Sequence, residues 1–233
     1  MKKLTATLLF ILFLFPTFVF AKNLPIEEQF KKSFPKNIFE SITPTDIKGI
    51  YEVYTGNQIY YYMPKDDVIL YGSLISKNGV NITRESFSKK MAQKMAKLPL
   101  DSALKIGSGK TAVVEFMDPN CSHCRQAYKF FSQRQDVTLY VFFFPLSKDS
   151  ADKIKHILCS KDVAKTYDDV VTGKLDNNKT PLNICVDKKV DETVKTHMQL
   201  ASQIGVRGTP LFYIKGQAID GFDPAVMEKL LKD

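Results

Sequence analysis

VVEFMDPNCSHC, residues 113–124, is an apolar run that ends in a short turn and two cysteines three residues apart. The stretch 111–117 is short and rich in β-branched residues, and Asp118-Pro119-Asn120 interrupts it, so the pattern predicts a buried strand. Cys121 and Cys124 follow directly. The sequence therefore places a pair of thiols just after a buried strand.

Cys121 is predicted to lie at or near the N-terminus of a helix, because apolar residues recur beyond Cys124 at helical spacing, namely Ala127, Tyr128, Phe130 and Phe131. Unpaired N–H groups and the positive end of the helix dipole stabilise an anion there, and the thiolate is the reactive form of cysteine. Cys121 is thus the predicted nucleophile. Cys124 lies one turn further along, close enough to form a disulfide with Cys121, and a buried position would suit a resolving thiol.

His123 lies between the cysteines and, when protonated, would add positive charge beside Cys121, which favours an oxidising couple. A solvated turn histidine is the alternative. A lone CxxC can also be half of a zinc site or an inert bridge, but Cys159 and Cys185 form no second CxxC. A bridge within CxxC would close a tiny loop and remove little chain entropy. We predict no metal and no cofactor.

GVRGTPLFYI, residues 205–214, is a turn that leads through Thr209-Pro210 into another short apolar strand. A strand, a CxxC that opens a helix, and a late Gly-x-x-Gly-Thr-Pro before a strand together resemble the thioredoxin fold. The resemblance implies a cis Thr209–Pro210 peptide bond whose backbone pairs with the substrate chain. For any single proline, an ordinary trans bond is the commoner case.

The first 21 residues have the pattern of a cleavable export signal. Lys2 and Lys3 precede the apolar run 4–20, and Val19-Phe20-Ala21 offers a cleavage site. The run is slightly short for a membrane span, so an uncleaved anchor is the minority interpretation. We expect a mature protein that begins at Lys22 in an oxidising compartment, where cysteines can pair.

The formal net charge is +8, and the lysines are scattered along the chain. Because no basic cluster is interleaved with aromatic residues, nucleic acid is not an expected partner. The length is sufficient for two small domains or one large one, and a break after residue 83 favours two.

Residues 22–83 are predicted to form a small β-rich domain. A short helix begins at Ile26, and strands at 49–54 and 58–63 flank a Thr-Gly-Asn turn. A further strand is predicted at 68–75 before an Asn-Gly turn. The many tyrosines favour core or interface packing over a substrate surface. Such a sheet has too little sequence to bury both faces, which indicates that it needs a partner.

A linker helix is predicted over residues 84–98, with Thr83 as its N-cap and Pro99 at its end. Residues 99–233 then contain strands at 103–106, 111–117 and 137–144, and a polar, helical insertion at about 146–200. Cys159 and Cys185 lie in that insertion. With Cys121 and Cys124 interpreted as a local pair, these two are left to form a structural disulfide.

This layout resembles the DsbC/DsbG family of periplasmic disulfide isomerases. The shared pieces are Asp118-x-x-Cys121-x-x-Cys124, the stretch AKTYDDVVTGK at 164–174 and GVRGTP at 205–210. The resemblance implies a thioredoxin-like α/β domain with a helical insertion, preceded by a cystatin-like dimerisation domain and a linker helix. It also implies a periplasmic V-shaped homodimer with an apolar cleft, kept reduced by a membrane protein of the DsbD type.

Two residues depart from the family pattern. His123, in Ser122-His123, is similar to the histidine of DsbA-type oxidants. Glu115 occupies the place of the buried acid of thioredoxin, where DsbC-like chains usually carry an apolar residue. On an apolar strand, Glu115 would be desolvated with a raised pKa and could accept the proton of Cys124. An exposed edge glutamate is the alternative.

Three functions are compatible with these features. The first is a disulfide isomerase or reductase, in which Cys121 attacks wrong disulfides of unfolded or misoxidised exported proteins. The second, favoured by His123 and Glu115, is a net dithiol oxidant. The third is a chaperone-like binding module for unfolded exported proteins, in which the thiols are secondary.

Overall fold

The computed structural model describes residues 24–176 and 181–232, which form two β-sheets joined by a helix. The predicted export signal, residues 1–21, lies outside the described residues. Within the part of the chain that is described, no helix is both long and apolar enough to cross a membrane.

The N-terminal domain is a helix packed on a four-stranded antiparallel sheet. The helix α1 spans Ile26–Ser33, and the strands, which neighbour one another in sequence order, are β1 (Ser41–Pro44), β2 (Tyr51–Tyr54), β3 (Ile59–Met63) and β4 (Val68–Leu70). Phe30 of α1 is fully buried, and its ring lies 5.1 Å from that of Tyr62 and 6.2 Å from that of Tyr60. Tyrosines of β3 therefore build the core of this domain.

Two strand predictions in this domain need correction. The strand predicted at 68–75 ends at Leu70, after which only an isolated bridge joins Ile75 to Asn81. Tyr71 is followed by Gly72 and Ser73, and glycine weakens a strand. The strand β1 was not predicted, because four residues that end in proline carry too short a pattern.

The helix α2 spans Ile82–Met95 and connects the two domains. Its N-cap is Asn81, whose side chain accepts a hydrogen bond from the N–H of Arg84, so the prediction of Thr83 was wrong. The Thr83 hydroxyl is engaged by Tyr61 and by the N–H of Leu74.

Besides connecting the two sheets, α2 packs against the C-terminal domain. Met91 and Met95 of α2 are buried in a cluster with Phe116, Phe142 and Leu211 from the C-terminal domain. The helix thus forms part of the core beneath the second sheet.

The C-terminal domain has a five-stranded sheet with helices on both faces. A short 3₁₀ turn at Leu100–Ser102 precedes β5 (Leu104–Gly107), β6 (Thr111–Met117), α3 (Ser122–Phe131), β7 (Val137–Phe143), α4 (Lys148–Leu158), α5 (Val163–Val171), α6 (Lys188–Ile204), β8 (Leu211–Ile214), β9 (Gln217–Asp220) and α7 (Pro224–Lys232). The strand order is β5-β7-β6-β8-β9, in which only β6 and β7 pair in parallel.

Strand β6 lies at the centre of this sheet and confirms the strand predicted at 111–117. Its side chains alternate between two buried clusters. Val113 and Met117 pack on the face covered by α3, α5 and α7, whereas Val114 and Phe116 pack on the face covered by α2 and α6. Burial on both faces explains why the sequence of β6 is almost continuously apolar.

Helices α4, α5 and α6 form the predicted helical insertion between β7 and β8. A disulfide bond joins Cys159, at the end of α4, to Cys185, with 5.8 Å between their Cα atoms. His156 Nδ1 accepts a hydrogen bond of 2.7 Å from the N–H of Asn183. These two links attach the segment before α6 to α4.

Candidate active site

Cys121 is the N-cap residue of α3, between the end of β6 and the first helical residue, Ser122. It is half-buried, and its thiol donates a hydrogen bond of 3.3 Å to the carbonyl oxygen of Thr209. The first N–H groups of a helix have no intrahelical partners and point toward the N-cap, where they favour a negatively charged sulfur. The position of Cys121 therefore suits a nucleophilic thiolate.

Cys124 is a free thiol one turn further into α3, with no exposed surface. Burial, and after it the negative charge of Glu115, raises the pKa of the Cys124 thiol strongly. A buried thiol with a raised pKa does not react with solvent species but reacts once a base removes its proton. Cys124 is placed as a resolving thiol would be.

Glu115 lies in the middle of the central strand and is fully buried, so the alternative of an exposed edge glutamate is wrong. Neither of its carboxylate oxygens has a hydrogen-bond partner among the described residues. Burial, followed by the charge of Cys121, raises the pKa of Glu115 well above its ordinary value. A carboxyl group with a raised pKa behind the cysteine pair has the chemistry of a proton acceptor.

The Thr209–Pro210 peptide bond is cis and lies against the cysteine pair. The Pro210 carbonyl oxygen accepts a hydrogen bond of 2.9 Å from the N–H of Gly221, which fixes this loop to the segment after β9. Proline at this strand start costs no ladder hydrogen bond, because its nitrogen carries no proton.

The turn between β6 and α3 is held by Asp118, which is almost fully buried. One carboxylate oxygen accepts hydrogen bonds from the Asn120 N–H at 2.6 Å and the Ser150 hydroxyl at 2.9 Å. The other accepts from the Leu146 N–H at 2.6 Å. From the sequence, Asp118 was noted as a strand breaker and part of the family motif, not as a buried acceptor.

A second set of polar contacts, not predicted from the sequence, holds the same turn from outside. Arg125 donates from Nε to the Pro119 carbonyl oxygen at 2.8 Å and pairs through both terminal nitrogens with Asp176. Lys153 donates to Asp176 at 2.8 Å and to the Asn120 side-chain oxygen at 2.7 Å. Asp176 lies 51 residues from Arg125 and 23 residues from Lys153 in the sequence, so no local pattern predicts these contacts.

His123 is exposed in the first turn of α3 and lines a shallow groove with Arg84, Asp220 and Phe222. The structure thus brings Cys121, Cys124, Glu115, Thr209 and Pro210 together and leaves His123 at the rim. In residues 24–176 and 181–232, no three His, Cys, Asp or Glu side chains are grouped as a metal site would require.

Comparison with known proteins first defines the class. Residues 99–233 match the family model of a thioredoxin-like domain, and residues 17–84 match that of the disulfide bond isomerase protein N-terminal domain. A structure of a Proteus mirabilis ScsC linker-deletion mutant has a TM-score of 0.54 at 18% identity, covering 65% of this chain and 85% of that chain. That likeness concerns the fold alone. The chain is a thioredoxin-fold thiol:disulfide oxidoreductase.

Relatives of known name narrow the class to one family. A probable thiol:disulfide interchange protein DsbC of Bordetella parapertussis is 31% identical over 210 residues, covering 86% of this chain and 72% of the relative. The thiol:disulfide interchange protein DsbC of Escherichia coli K12 is 26% identical over 222 residues, covering 90% and 87%. The chain belongs to the DsbC family of thiol:disulfide interchange proteins.

Proposed function

We propose that this protein isomerises or reduces wrong disulfide bonds in exported proteins, with Cys121 as the nucleophile and Cys124 as the resolving thiol. The observation that carries the proposal is the arrangement of the two sulfurs. Cys121 is partly accessible at a helix N-cap beside a cis-proline loop, and Cys124 is buried one turn behind it. The match of the N-terminal domain to that of disulfide bond isomerases supports the same direction of chemistry.

The reaction begins when the Cys121 thiolate attacks one sulfur of a substrate disulfide. A mixed disulfide forms, and the other substrate sulfur leaves as a thiolate. In isomerisation, a second substrate thiolate attacks the mixed disulfide and regenerates Cys121. In reduction, Cys124 attacks the Cys121 sulfur, the pair is oxidised, and the substrate leaves reduced. The backbone beside Pro210 is the proposed docking edge for the substrate chain.

The test is recovery of activity from a scrambled multi-disulfide protein. Wild type and Cys124→Ser are expected to reactivate the substrate, because isomerisation needs only Cys121 when the substrate supplies the second thiol. Cys121→Ser is expected to lose this activity. Equal recovery with wild type and Cys121→Ser would end the proposal.

A net oxidant is the second candidate, and His123, between the two cysteines, favours it because a positive charge there would stabilise the reduced thiolate. Oxidants of this fold have potentials well above that of thioredoxin, which is about −270 mV. Equilibration of the Cys121–Cys124 pair with glutathione measures the potential. A value near that of thioredoxin would exclude this candidate.

The assembly and location form a further part of the proposal. We place a cleavable signal at 1–21, a dimerisation domain at 22–83, a linker helix at 84–98 and the catalytic domain at 99–233. The export pattern and family membership support a periplasmic protein that a DsbD-type membrane reductant keeps reduced.

Edge strand β4 leaves Val68 and Leu70 each 43% exposed, which supports a homodimer through the N-terminal domain. Sedimentation of wild type and Leu70→Lys tests the dimer, which the variant is expected to weaken.

A further inference from the structure

Glu115, Cys124 and Tyr167 meet in one buried cluster, although they come from three different elements. On β6, Val113 and Met117 pack in the same cluster as Cys124 and Tyr167. Because side chains alternate along a strand, Glu115 points to the face shared by Val113 and Met117. The carboxyl group thus enters this cluster from the sheet, the thiol from α3 and the phenol from α5.

The oxygens of Glu115 and Tyr167 are unusual because they lack partners. In the described residues, five buried side-chain oxygens have no hydrogen-bond partner: both oxygens of Glu115 and the hydroxyls of Tyr60, Tyr167 and Thr209. A buried polar group without a partner is costly, and nearly all such groups in folded proteins bind protein or ordered water. Tyr167 has no exposed surface, so its hydroxyl can be satisfied only inside the cluster.

We propose that Tyr167 is a positioning residue for Glu115, to whose carboxylate its hydroxyl donates a hydrogen bond through one bound water molecule. This inference rests on the proposed function, because it concerns how Cys124 loses its proton during resolution. Among residues 24–176 and 181–232, no polar group is a hydrogen-bond partner of either side chain, and Glu115 points into the cluster that contains Tyr167. A bound water is the smallest ligand that gives both groups a partner.

The Tyr167 hydroxyl matters because no other ionisable group near Glu115, within the part of the chain that the structure describes, favours the ionised form of Glu115. The ionisable groups that face it are the thiols of Cys121 and Cys124 and the phenol of Tyr167, with Tyr128 edge-on behind Tyr167 at 5.3 Å between ring centroids. None of the four is cationic. Burial and the Cys121 charge both raise the pKa of Glu115, and a hydrogen bond to the carboxylate opposes that effect. The donor stays available, because burial also raises the pKa of Tyr167.

Resolution of the mixed disulfide begins with a proton transfer. The Glu115 carboxylate takes the proton of the Cys124 thiol, and the resulting thiolate attacks the Cys121 sulfur of the mixed disulfide. A bond forms between Cys121 and Cys124, and the bond between Cys121 and the substrate sulfur breaks. The substrate leaves as a thiolate with the electron pair, so the cysteine pair is oxidised and the substrate disulfide reduced. Without the Tyr167 hydroxyl, Glu115 would hold its own proton to a higher pH, so below that pH a smaller fraction of Glu115 would be ionised and able to accept the Cys124 proton.

The test uses the reduced full-length protein and a small aromatic disulfide that releases a coloured thiolate. The first release reports the attack of Cys121, and the second reports resolution by Cys124. Tyr167→Phe is expected to leave the first phase unchanged and to shift the pH midpoint of the second phase upward by about one unit. Below the midpoint, the ionised fraction of Glu115 is then about tenfold smaller, and resolution is slower by up to that factor. The matched control is Tyr60→Phe, which removes the equally unpartnered hydroxyl of the N-terminal domain and should follow wild type.

A double variant separates this role from simple packing. In the Glu115→Gln background, adding Tyr167→Phe is expected to cause no further shift. A Tyr167→Phe profile that superimposes on wild type, or a shift that persists in the Glu115→Gln background, would overturn the inference. If Tyr167→Phe lowers stability, infrared titration of the Glu115 carboxyl in folded samples measures its pKa directly. The inference expects that pKa to be higher in Tyr167→Phe than in wild type. If wild type shows no first release of the coloured thiolate, the proposed function itself is overturned.

Discussion

At the scale of single residues, Glu115 couples proton binding to folding. Its pKa in the folded protein is raised above its ordinary value of 4.5, first by burial and then by the Cys121 charge. Between these two pKa values the folded chain keeps a proton that the unfolded chain releases. The free energy of unfolding contributed by this group therefore falls as pH rises, by about 1.4 kcal/mol per pH unit.

Glu115→Gln is expected to remove this pH dependence, because an amide does not titrate. Wild type should lose about 1.4 kcal/mol of unfolding free energy for each pH unit, between about pH 5 and about pH 7, that lies below the folded pKa of Glu115. The variant should not show this loss. Urea denaturation of the reduced proteins at a series of pH values measures the slopes. Glu85→Gln, an exposed carboxyl on α2, is the control and should keep the wild-type slope. Parallel profiles for wild type and Glu115→Gln would contradict the prediction.

The sequence predicts the roles of those residues that belong to a short local motif. Cys121 and Cys124 are adjacent in a motif, and Thr209-Pro210 is recognisable from the turn before it, so their approach across the sheet follows from the thioredoxin pattern. Arg125 and Asp176 carry no such pattern. Charged residues are common on helix surfaces, and only the packing of α3 against the segment after α5 shows that these two form a pair.

At the scale of secondary-structure elements, the turn before α3 depends on Asp176. This residue ties together Arg125 and Lys153, which hold the backbone of Pro119 and the side chain of Asn120. Hydrogen bonding to Arg125, with a smaller contribution from Lys153, lowers the pKa of Asp176 to about 2. An acid with a depressed pKa stabilises the fold above its unfolded pKa, and this contribution is lost as pH falls through the folded value.

Asp176→Asn is expected to lower the free energy of unfolding by about 1 kcal/mol at neutral pH, since solvent screens the partly exposed carboxylate. The difference from wild type should shrink as pH falls from about 4 toward about 2. Chemical denaturation at neutral and acid pH measures both values. Asp191→Asn, which breaks an exposed pair with Lys155, serves as the control and should have little effect. A difference that does not change with pH would contradict the linkage.

The disulfide between Cys159 and Cys185 joins the end of α4 to the segment before α6. It closes a loop with a sequence separation of 26 residues. The Cys159→Ser/Cys185→Ser variant is therefore expected to lose about 3 kcal/mol of unfolding free energy. Its exchange rate with small disulfides should remain that of wild type. Cys121→Ser/Cys124→Ser is the control, because it removes two free thiols that close no loop. A loss below about 1 kcal/mol would contradict the prediction.

The local sequence pattern predicts that helix α2 exists but does not determine its first residue. Asn81 and Thr83 are both good N-cap residues, and the sequence alone offers no choice between them. The choice is tertiary, because Tyr61 of the neighbouring sheet takes the Thr83 hydroxyl and leaves Asn81 as the cap. The same helix was predicted as a linker, and its buried methionines show that periodic apolar residues can mark a core on the next domain.

At the scale of the whole molecule, α2 and the end of α6 hold the two domains together. Lys94 of α2 donates to Glu40 of the N-terminal domain at 2.9 Å and to the Gln203 carbonyl oxygen at 3.0 Å. Arg207 lies over the Phe87 ring at 5.1 Å. These contacts join the small sheet to the loop that carries Thr209 and Pro210, so the position of one domain is linked to the active site of the other.

Gly205 lies at a close approach between the two domains. It ends α6 with φ +90°, and a Cβ there would overlap the Gly56 carbonyl oxygen and lie 3.1 Å from the Asn57 Cα, both in the β2–β3 turn. Gly205→Ala therefore adds a clash between domains to the cost of a left-handed alanine, which is about 1–2 kcal/mol. Gly216→Ala is the matched control, because its φ is +84° but its Cβ would meet open space.

Hydrogen exchange of the peptide 51–63 separates these two costs, since it reports on the hairpin that contacts Gly205. Faster exchange of this peptide is expected in Gly205→Ala than in Gly216→Ala, because only the former forces the hairpin away from α6. Both variants should show a similar loss of stability in the C-terminal domain from the backbone strain alone. Equal exchange of the hairpin in the two variants would show that the position of the N-terminal domain does not depend on the contact at Gly205.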